Sequence, residues 1–460
     1  MKGDYDLVVI GAGSAGLSAA RFAVQMGART ALVEAKRIGG DCTWTGCVPS
    51  KALLHAARIA HEMRTAGRYG LPGCSPPKVD LAAVMASVKA AVARVYELES
   101  PDRLQASGVD VILGAARFLD QHAVEVAGRQ LRAKHFLICT GARPTPPSIP
   151  GLATVPHLTY LDVFDLVELP RRLTVLGGGP TGCELAQAFQ RLGAQVTLLE
   201  AREHLLPGVE PAAGELLRLV FESEGMDVRL ATSVRSVSTS PGGVRLATST
   251  GYVDAEQLLL AAGRSPVTEG LDLHRAGVEL AGAAVQVNAK LQTSQPHIYA
   301  AGDVTGSFQL THYAGWQAFQ AVRNALLPGS SEGTRSSVPW AIFTDPEIAQ
   351  VGELRGTCKE WPVARVDRAQ ATGRLFGLIR VYLDSKGRVN GALIGLEAAA
   401  ELINELSLSI QTGARWADVA RAMHTYPSYG IALQQLAAQD ALQRSTSGRW
   451  GWLLKRLARR

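Results

Sequence analysis

Cys42 and Cys47 are the side chains of this 460-residue sequence best suited to chemistry. They lie in Gly39-Gly40-Asp41-Cys42-Thr43-Trp44-Thr45-Gly46-Cys47-Val48-Pro49-Ser50-Lys51. Proline fits the first turn of a helix, where its missing N–H costs nothing, so Pro49 places Cys47 at a helix N-terminus. There the helix dipole favours a thiolate, the reactive species in thiol–disulfide exchange. Lys51, four residues on, falls on the same helical face one turn further in. The competing chemistry is a structural zinc site, which needs about four ligands. No second CxxC or histidine pair lies close enough to complete one, so no resident metal is expected. The other cysteines read as inert: Cys139 in the apolar strand 136–140, Cys183 opening a helix, Cys74 and Cys358 in loop-like segments.

The elements that must position this pair form an internal repeat. The first copy is an apolar strand at 6–10, the loop Gly11-Ala12-Gly13-Ser14-Ala15-Gly16, an Ala-rich helix to Met26, and a strand at 30–33 closing on Glu34. The second is a strand at 173–176, Gly177-Gly178-Gly179-Pro180-Thr181-Gly182, a helix to Leu192, and a strand at 195–199 closing on Glu200. First glycine and acid are 23 residues apart in both, 11 to 34 and 177 to 200. In such a unit the first glycine turns the chain and the second lets backbone N–H groups approach a pyrophosphate. The third lets helix pack on strand, and the acid accepts hydrogen bonds from ribose hydroxyls. One GxGxxG is often only a tight turn; two, each between strand and helix and each with its acid, predict two bound dinucleotides.

The bulk numbers set the frame. Chains of this length divide into about three domains. With 47% hydrophobic and 19% charged residues the chain is expected to fold as a globular protein. A formal charge of +6 suits a dinucleotide as well as nucleic acid or an anionic membrane, so it selects no partner by itself. Residues 1–5 run straight into an apolar strand, leaving no room for a secretory signal. Every apolar run is cut short of the roughly 18 residues of a membrane span. A cytoplasmic protein is expected, and there six cysteines make a close pair catalytic or metal-binding more readily than structural.

Two dinucleotide folds with CxxxxC between them resemble the flavoprotein disulfide reductases, the family of dihydrolipoamide dehydrogenase, glutathione reductase and mercuric reductase. The resemblance covers almost the whole chain. It extends to Thr140-Gly141-Ala142-Arg143-Pro144, Ala262-Gly263-Arg264-Ser265-Pro266, Ala301-Gly302-Asp303 and the run from Phe343 to Gly352. It implies an α/β fold with two Rossmann-like domains and a C-terminal α+β dimerisation domain. The expected boundaries are 1–150 with 265–335 for FAD, 151–264 for NAD(P), and 336–460 for dimerisation, ending in a basic tail. Carried onto this sequence, the resemblance makes Cys42 and Cys47 a redox-active disulfide, with Cys47 nearer the flavin and Cys42 meeting substrate. Gly11, Gly13, Gly16 and Glu34 would hold the ADP half of FAD, Gly141 would lie beside it, and Asp303 would hold its ribityl chain. Lys51 would lie beside the isoalloxazine and pair with Glu184. Gly177, Gly179, Gly182 and Glu200 would hold the nicotinamide cofactor, with Gly263 at the module's end. Glu200 favours NADH over NADPH by repelling a 2′-phosphate, an inference that the nearby Arg202 weakens.

The C-terminal motif departs from the family. Thiol-reducing members carry His-Pro-Thr-x-x-Glu, whereas this chain reads His424-Thr425-Tyr426-Pro427-Ser428-Tyr429-Gly430-Ile431. Aligned on Pro427, the catalytic histidine becomes Tyr426 and its glutamate Ile431. A tyrosine with a free pKa near 10 is a poor base, so Tyr426 is expected to serve as ligand or hydrogen-bond donor; His424, two residues away, could serve as a substitute base, although a lone surface or interface histidine is the commoner explanation. Tyrosine here resembles mercuric reductases and soluble transhydrogenases, although the C-terminal cysteine pair of the former is absent. The expected enzyme is a homodimer that reduces a metal ion or a small thiol or disulfide compound. The alternatives are a flavin electron-transfer enzyme acting on quinones or a second nicotinamide, and a non-enzymatic redox sensor. Nucleic acid is not expected as a partner. The tail 449–460, basic and aromatic, could touch an anionic membrane but reads rather as a packed or frayed end.

Overall fold

The computed structural model describes residues 4–71 and 78–446; Cys74 and the tail 449–460 lie outside them. The described residues divide into two compact units, 1–204 with 224–335 and 205–223 with 336–460.

The first unit is built on two parallel sheets, as two strand–loop–helix repeats require. In one, Tyr5–Ile10 is flanked by Thr30–Glu34 and Arg129–Ile138, with Asp110–Leu113 beyond the former and Ile298–Ala300 against the latter, all parallel. Both faces are covered, so the strands read as unbroken apolar runs: Leu7, Val8, Val9, Phe136 and Ile138 are buried, odd and even positions alike. The second repeat pairs Arg172–Leu176 with Gln195–Leu199 and Gln257–Leu260, and adds Asp227–Arg229. Strand order is therefore the same around both glycine loops: the acid-bearing strand on one side of the first strand, the returning strand on the other.

The two repeats are stitched where the chain crosses between them. Ala142–Pro144 pairs antiparallel with Arg264–Pro266 in a two-stranded ribbon, with Arg264 opposite Pro144. Gly141 and Gly263 immediately precede these strands, both at positive φ, +72° and +135°.

The second unit is a five-stranded antiparallel sheet in the order Trp340–Ile342, Glu347–Gly352, Val389–Leu396, Leu378–Leu383, Thr357–Glu360. Helices Ala399–Thr412, Trp416–Arg421 and Ile431–Thr446 share its core through Ile403, Leu406, Trp416, Val419, Leu433 and Leu436. The helix Pro211–Ser223 groups with this sheet: Glu210 just before it accepts from Arg380 and, at 2.7 Å, from the Tyr382 hydroxyl. The chain thus leaves the second nucleotide sheet after Gln195–Leu199 for one helix and rejoins it at Asp227–Arg229. No helix among the described residues is long and apolar enough to cross a membrane.

Candidate active site

The two glycine loops have the same anatomy to within 0.1 Å at the position that packing controls. A Cβ on Gly16 would lie 1.8 Å from the carbonyl oxygen of Gly11, and one on Gly182 would lie 1.9 Å from that of Gly177. The third glycine is therefore demanded by the fold itself. The second is not: a Cβ on Gly13 would meet nothing nearer than the Cα of Gly40 at 3.8 Å, and one on Gly179 nothing within 4 Å. These open glycines are the N-caps of Ser14–Gln25 and Pro180–Leu192, and neither cap has a side-chain acceptor for the first-turn N–H groups. Unsatisfied N–H groups at the positive end of a helix, with no side chain in the way, form an anion site matched to a pyrophosphate.

The acids repeat the pattern. Glu34 accepts from Ala12 N at 2.8 Å and Lys36 N at 2.7 Å; Glu200 accepts from Gly178 N at 2.7 Å and Arg202 N at 2.8 Å. Each carboxylate is fixed by one backbone donor per oxygen, and each oxygen keeps a lone pair for a ribose hydroxyl. Both loops therefore fit a dinucleotide.

The redox loop sits on the first of them. Gly40, at φ +58°, approaches Gly13 so closely that a Cβ on it would lie 2.6 Å from Gly13 Cα, while Gly39 N donates to Ala12 O at 2.8 Å. The short helix Gly40–Trp44 then carries Cys42, and Cys47 opens the helix Cys47–Thr65. Both cysteines are free thiols, half-buried and in hydrogen-bond contact with each other. Cys47 Sγ also meets the Thr311 hydroxyl at 3.1 Å. Between them the Thr45 hydroxyl is buried with no protein partner among the described residues, as a polar group left for a ligand would be.

The pair shares one proton unequally. Cys47 is lowered to about 6, first by the hydrogen bond from the Cys42 thiol and then, against the opposing effect of burial, by Thr311 and the Lys51 charge; Glu184 works the other way. Cys42 is pushed far up, by the same hydrogen bond seen from the donor side and by burial. The thiolate at Cys47 thus has a different leading cause from the helix end and lysine that sequence suggests: the neighbouring thiol comes first. Lys51 Nζ donates to both oxygens of Glu184, at 3.1 and 2.9 Å, joining the redox helix to the helix behind the second glycine loop. Asp303 follows Gly302, whose N–H donates to the buried Gln317 at 2.9 Å, and its carboxylate faces Arg264 at 2.9 Å. Thr311 was not singled out by sequence, because 264 residues separate it from Cys47 and only the fold brings the start of Thr311–Leu326 to the sulfur.

The second unit holds the C-terminal motif. His424 is engaged at both ring nitrogens, Nδ1 with Ala422 O at 3.0 Å and Nε2 with the Glu405 carboxylate at 3.0 and 3.1 Å. Both partners offer oxygen atoms, and the Glu405 carboxylate holds the ring as a carboxylate partner holds a histidine in place. Tyr426 is 66% exposed and donates its hydroxyl to Asp367 at 2.9 Å, a bond that holds the phenol above its ordinary pKa. Ile431 begins the helix Ile431–Thr446. Of the remaining cysteines, Cys139 and Cys183 are buried and Cys358 is exposed. Among the described residues no group of three or more His, Cys, Asp or Glu is placed to hold a metal ion.

Comparison with known proteins matches residues 5–318 to the family described as pyridine nucleotide-disulphide oxidoreductase, and 338–437 to the dimerisation domain of the same name. The chain is 34% identical over 438 residues to a mercuric reductase of Bacillus cereus, covering 92% of this chain and 69% of that one. It is 33% identical over 461 residues to a dihydrolipoyl dehydrogenase of Thermus scotoductus, covering 94% and 96%. Among solved structures it superposes on LpdA from Mycobacterium tuberculosis with TM-score 0.86, at 28% identity over 94% of this chain and 99% of that one. A Cu(II) complex of the HOCl-induced flavoprotein disulfide reductase RclA from Escherichia coli gives TM-score 0.84 at 28% identity, over 93% and 98%.

The glycine geometry separates two substitutions that sequence alone would treat alike. Gly16→Ala should fail to yield folded protein, whereas ligand-free Gly13→Ala should melt within about 2 °C of the parent, since each kcal/mol moves a domain of this size by a few degrees. Equal damage from both would refute the distinction. For the thiols, alkylation of Cys47 in the reduced protein, followed by mass spectrometry, should rise with pH around a midpoint near 6 as the thiolate forms. In Cys42→Ala the midpoint should move up by about 1 to 2 pH units, the value of a hydrogen bond to a charged group. An unmoved midpoint would return the leading role to Lys51 and the helix end.

Proposed function

The chain belongs to the pyridine nucleotide-disulphide oxidoreductases, and we propose that it takes electrons from NADH and delivers them through Cys47 and Cys42 to a thiophilic divalent metal ion. It is an FAD-dependent, NAD(P)H-linked enzyme with a redox-active disulfide; the choice of NADH, the residue roles and the metal ion as substrate are the reading offered here.

FAD, when bound, supplies the relay between nicotinamide and disulfide. Gly11, Gly13, Gly16 and Glu34 hold its ADP half, with Gly141 alongside and Asp303 on the ribityl chain. Lys51, fixed by Glu184, sits beside the ring. Gly177, Gly179, Gly182 and Glu200 hold the nicotinamide cofactor, with Gly263 at the end of that module. Glu200 is only 7% exposed and locked by two backbone donors, so it cannot swing aside for a 2′-phosphate, and NADH is the better fit.

The observation that carries the choice of substrate is the committed state of both groups that could move a proton. Reducing a disulfide compound transfers two electrons and two protons, which calls for a base and acid beside the outer sulfur. His424 has both nitrogens engaged, and the Tyr426 proton is given to Asp367. A metal ion avoids the need. When a cation such as Hg(II) binds both sulfurs, the Cys42 proton leaves to water, because ligand thiols are deprotonated outright. The two metal–sulfur bonds then break, the S–S bond forms and the electron pair stays on the metal, so the substrate takes up no proton. The mercuric reductases among the relatives act on such an ion, as their name states. The chain is read as a homodimer in which the 336–460 domain lends Tyr426 to the partner's site, the remaining boundaries being 1–150 with 265–335 and 151–264.

Anaerobic turnover of the FAD-loaded protein with Hg(II), Cu(II), lipoamide and glutathione disulfide tests this. NADH oxidation should be fastest with a metal ion, be lost in Cys42→Ser and Cys47→Ser, and fall about ten- to a hundredfold in Tyr426→Phe, which removes one donor or ligand. Flavin reduction by NADH should continue in all three. Turnover with lipoamide that vanishes in His424→Ala would restore a thiol substrate; turnover with quinone that survives loss of the cysteines would place the chemistry at the flavin alone.

A further inference from the structure

Three side chains from distant segments meet around one guanidinium, and the chemistry described so far uses only one of them. Arg264, in the ribbon that joins the two nucleotide modules, donates through NH2 to Asp41 at 3.0 Å and lies 2.9 Å from Asp303 through NH1. Its Nε reaches the Tyr160 hydroxyl at 3.3 Å. Tyr160, buried, donates in turn to the same Asp41 oxygen at 2.8 Å, and its ring centroid lies 5.4 Å from the guanidinium carbon. The fork therefore spends its three nitrogens on three different elements, an arrangement that a lysine cannot reproduce.

Asp41 immediately precedes Cys42, and Asp303 follows the Gly302 held by Gln317. Burial pushes the Asp303 carboxyl up, the Arg264 charge opposes this, and the Asp41 charge adds to the push. Two carboxylates thus face one cation in a setting partly removed from water, where removing the cation leaves like charges sharing a site.

We propose that Arg264 is a positioning residue that holds the Asp303 carboxylate in place for the FAD ribityl chain and, through Asp41, ties it to the loop carrying Cys42. The inference rests on the reading that Asp303 takes the ribityl chain. An exposed ion pair would contribute little, but Arg264 is three-quarters covered at its side chain, and a rigid fork with one nitrogen on each of two carboxylates orients as well as attracts. Asp41 gives the tie its consequence: the same guanidinium registers the redox loop, the ribityl loop and the inter-module ribbon.

Equilibrium binding of FAD to the ligand-free protein, followed by quenching of flavin fluorescence, separates the possibilities. Asp303→Asn should weaken FAD binding, which tests the reading beneath the inference. Arg264→Met should weaken it by about thirtyfold or more, the low end for removing one partner of a desolvated charge pair. Arg264→Lys, which keeps the charge without the fork, should fall between, and covers the case in which the methionine variant does not fold. Asp41→Asn added to Arg264→Met should recover most of the loss, because it removes the like charge left facing Asp303; a purely structural arginine would show additive damage. If Asp303→Asn binds FAD as tightly as the parent, the ribityl reading fails. If Asp303→Asn is weakened but Arg264→Met is not, or the double variant is no better than Arg264→Met, the role of Arg264 is overturned.

Discussion

A Cβ on Gly40 would lie 2.6 Å from the Cα of Gly13, so only glycine at position 40 allows the redox loop to rest, backbone on backbone, against the first nucleotide loop. The reactive geometry follows from that approach. It seats the helix Gly40–Trp44, sets where Cys47–Thr65 begins, and so brings Cys42 and Cys47 to the open N-terminus of Ser14–Gln25. Gly39 N on Ala12 O fixes the direction of the seat, and Ala12 N on Glu34 links it to the acid that closes the first repeat. A larger residue at position 40 would lift the sulfurs off the nucleotide loop without disturbing a single strand.

On this seat the electrostatics divide into a shared proton and a crossed ion pair. Cys42 keeps the proton and lends it as a hydrogen bond, which is why its own thiol rises while Cys47 falls. Lys51 adds its charge to the same side, but most of its carboxylate contact is with Glu184, which works against the thiolate. A buried or half-buried ion pair is weak evidence of stability, because desolvation offsets much of the attraction. The value of Lys51–Glu184 lies in registering a helix of the first module against one of the second, 133 residues away.

What the sequence made legible is what local chemistry determines. Both glycine loops, their acids, and the helix start at Cys47 follow from steric and dipole rules that act within a few residues, and both copies fold to matching hydrogen bonds at Glu34 and Glu200. The C-terminal domain was visible through the resemblance of the run from Phe343 to Gly352, which holds the strand Glu347–Gly352 of its sheet. What escaped depends on contacts across hundreds of residues: Thr311 at Cys47, and Arg264 bridging Asp41 and Asp303, carry no local signal that tells them from any threonine at a helix start or arginine in a turn. The partners of His424 escaped for a related reason. His424 stands two residues from the expected place, but Glu405, on the helix Ala399–Thr412, takes one nitrogen, and the backbone at Ala422 takes the other.

The two glycine loops, so alike in their demanding positions, differ in what covers the permissive one. Beyond Gly13 the first atom is Gly40 Cα at 3.8 Å; beyond Gly179 there is nothing within 4 Å. On the proposed assignment a nucleotide on the first loop would share its surroundings with the redox loop that carries Asp41 and Cys42. One on the second meets no such cover at the same point. Association and release at an uncovered helix end require no rearrangement of the chain, whereas leaving the first loop means parting the contact on which the cysteines are seated. On the proposed assignment a repeated module would serve a resident flavin at one copy and an exchanging nicotinamide at the other, and the difference would arise from the segment that follows the first acid, Gly39 to Cys47, which the second copy lacks.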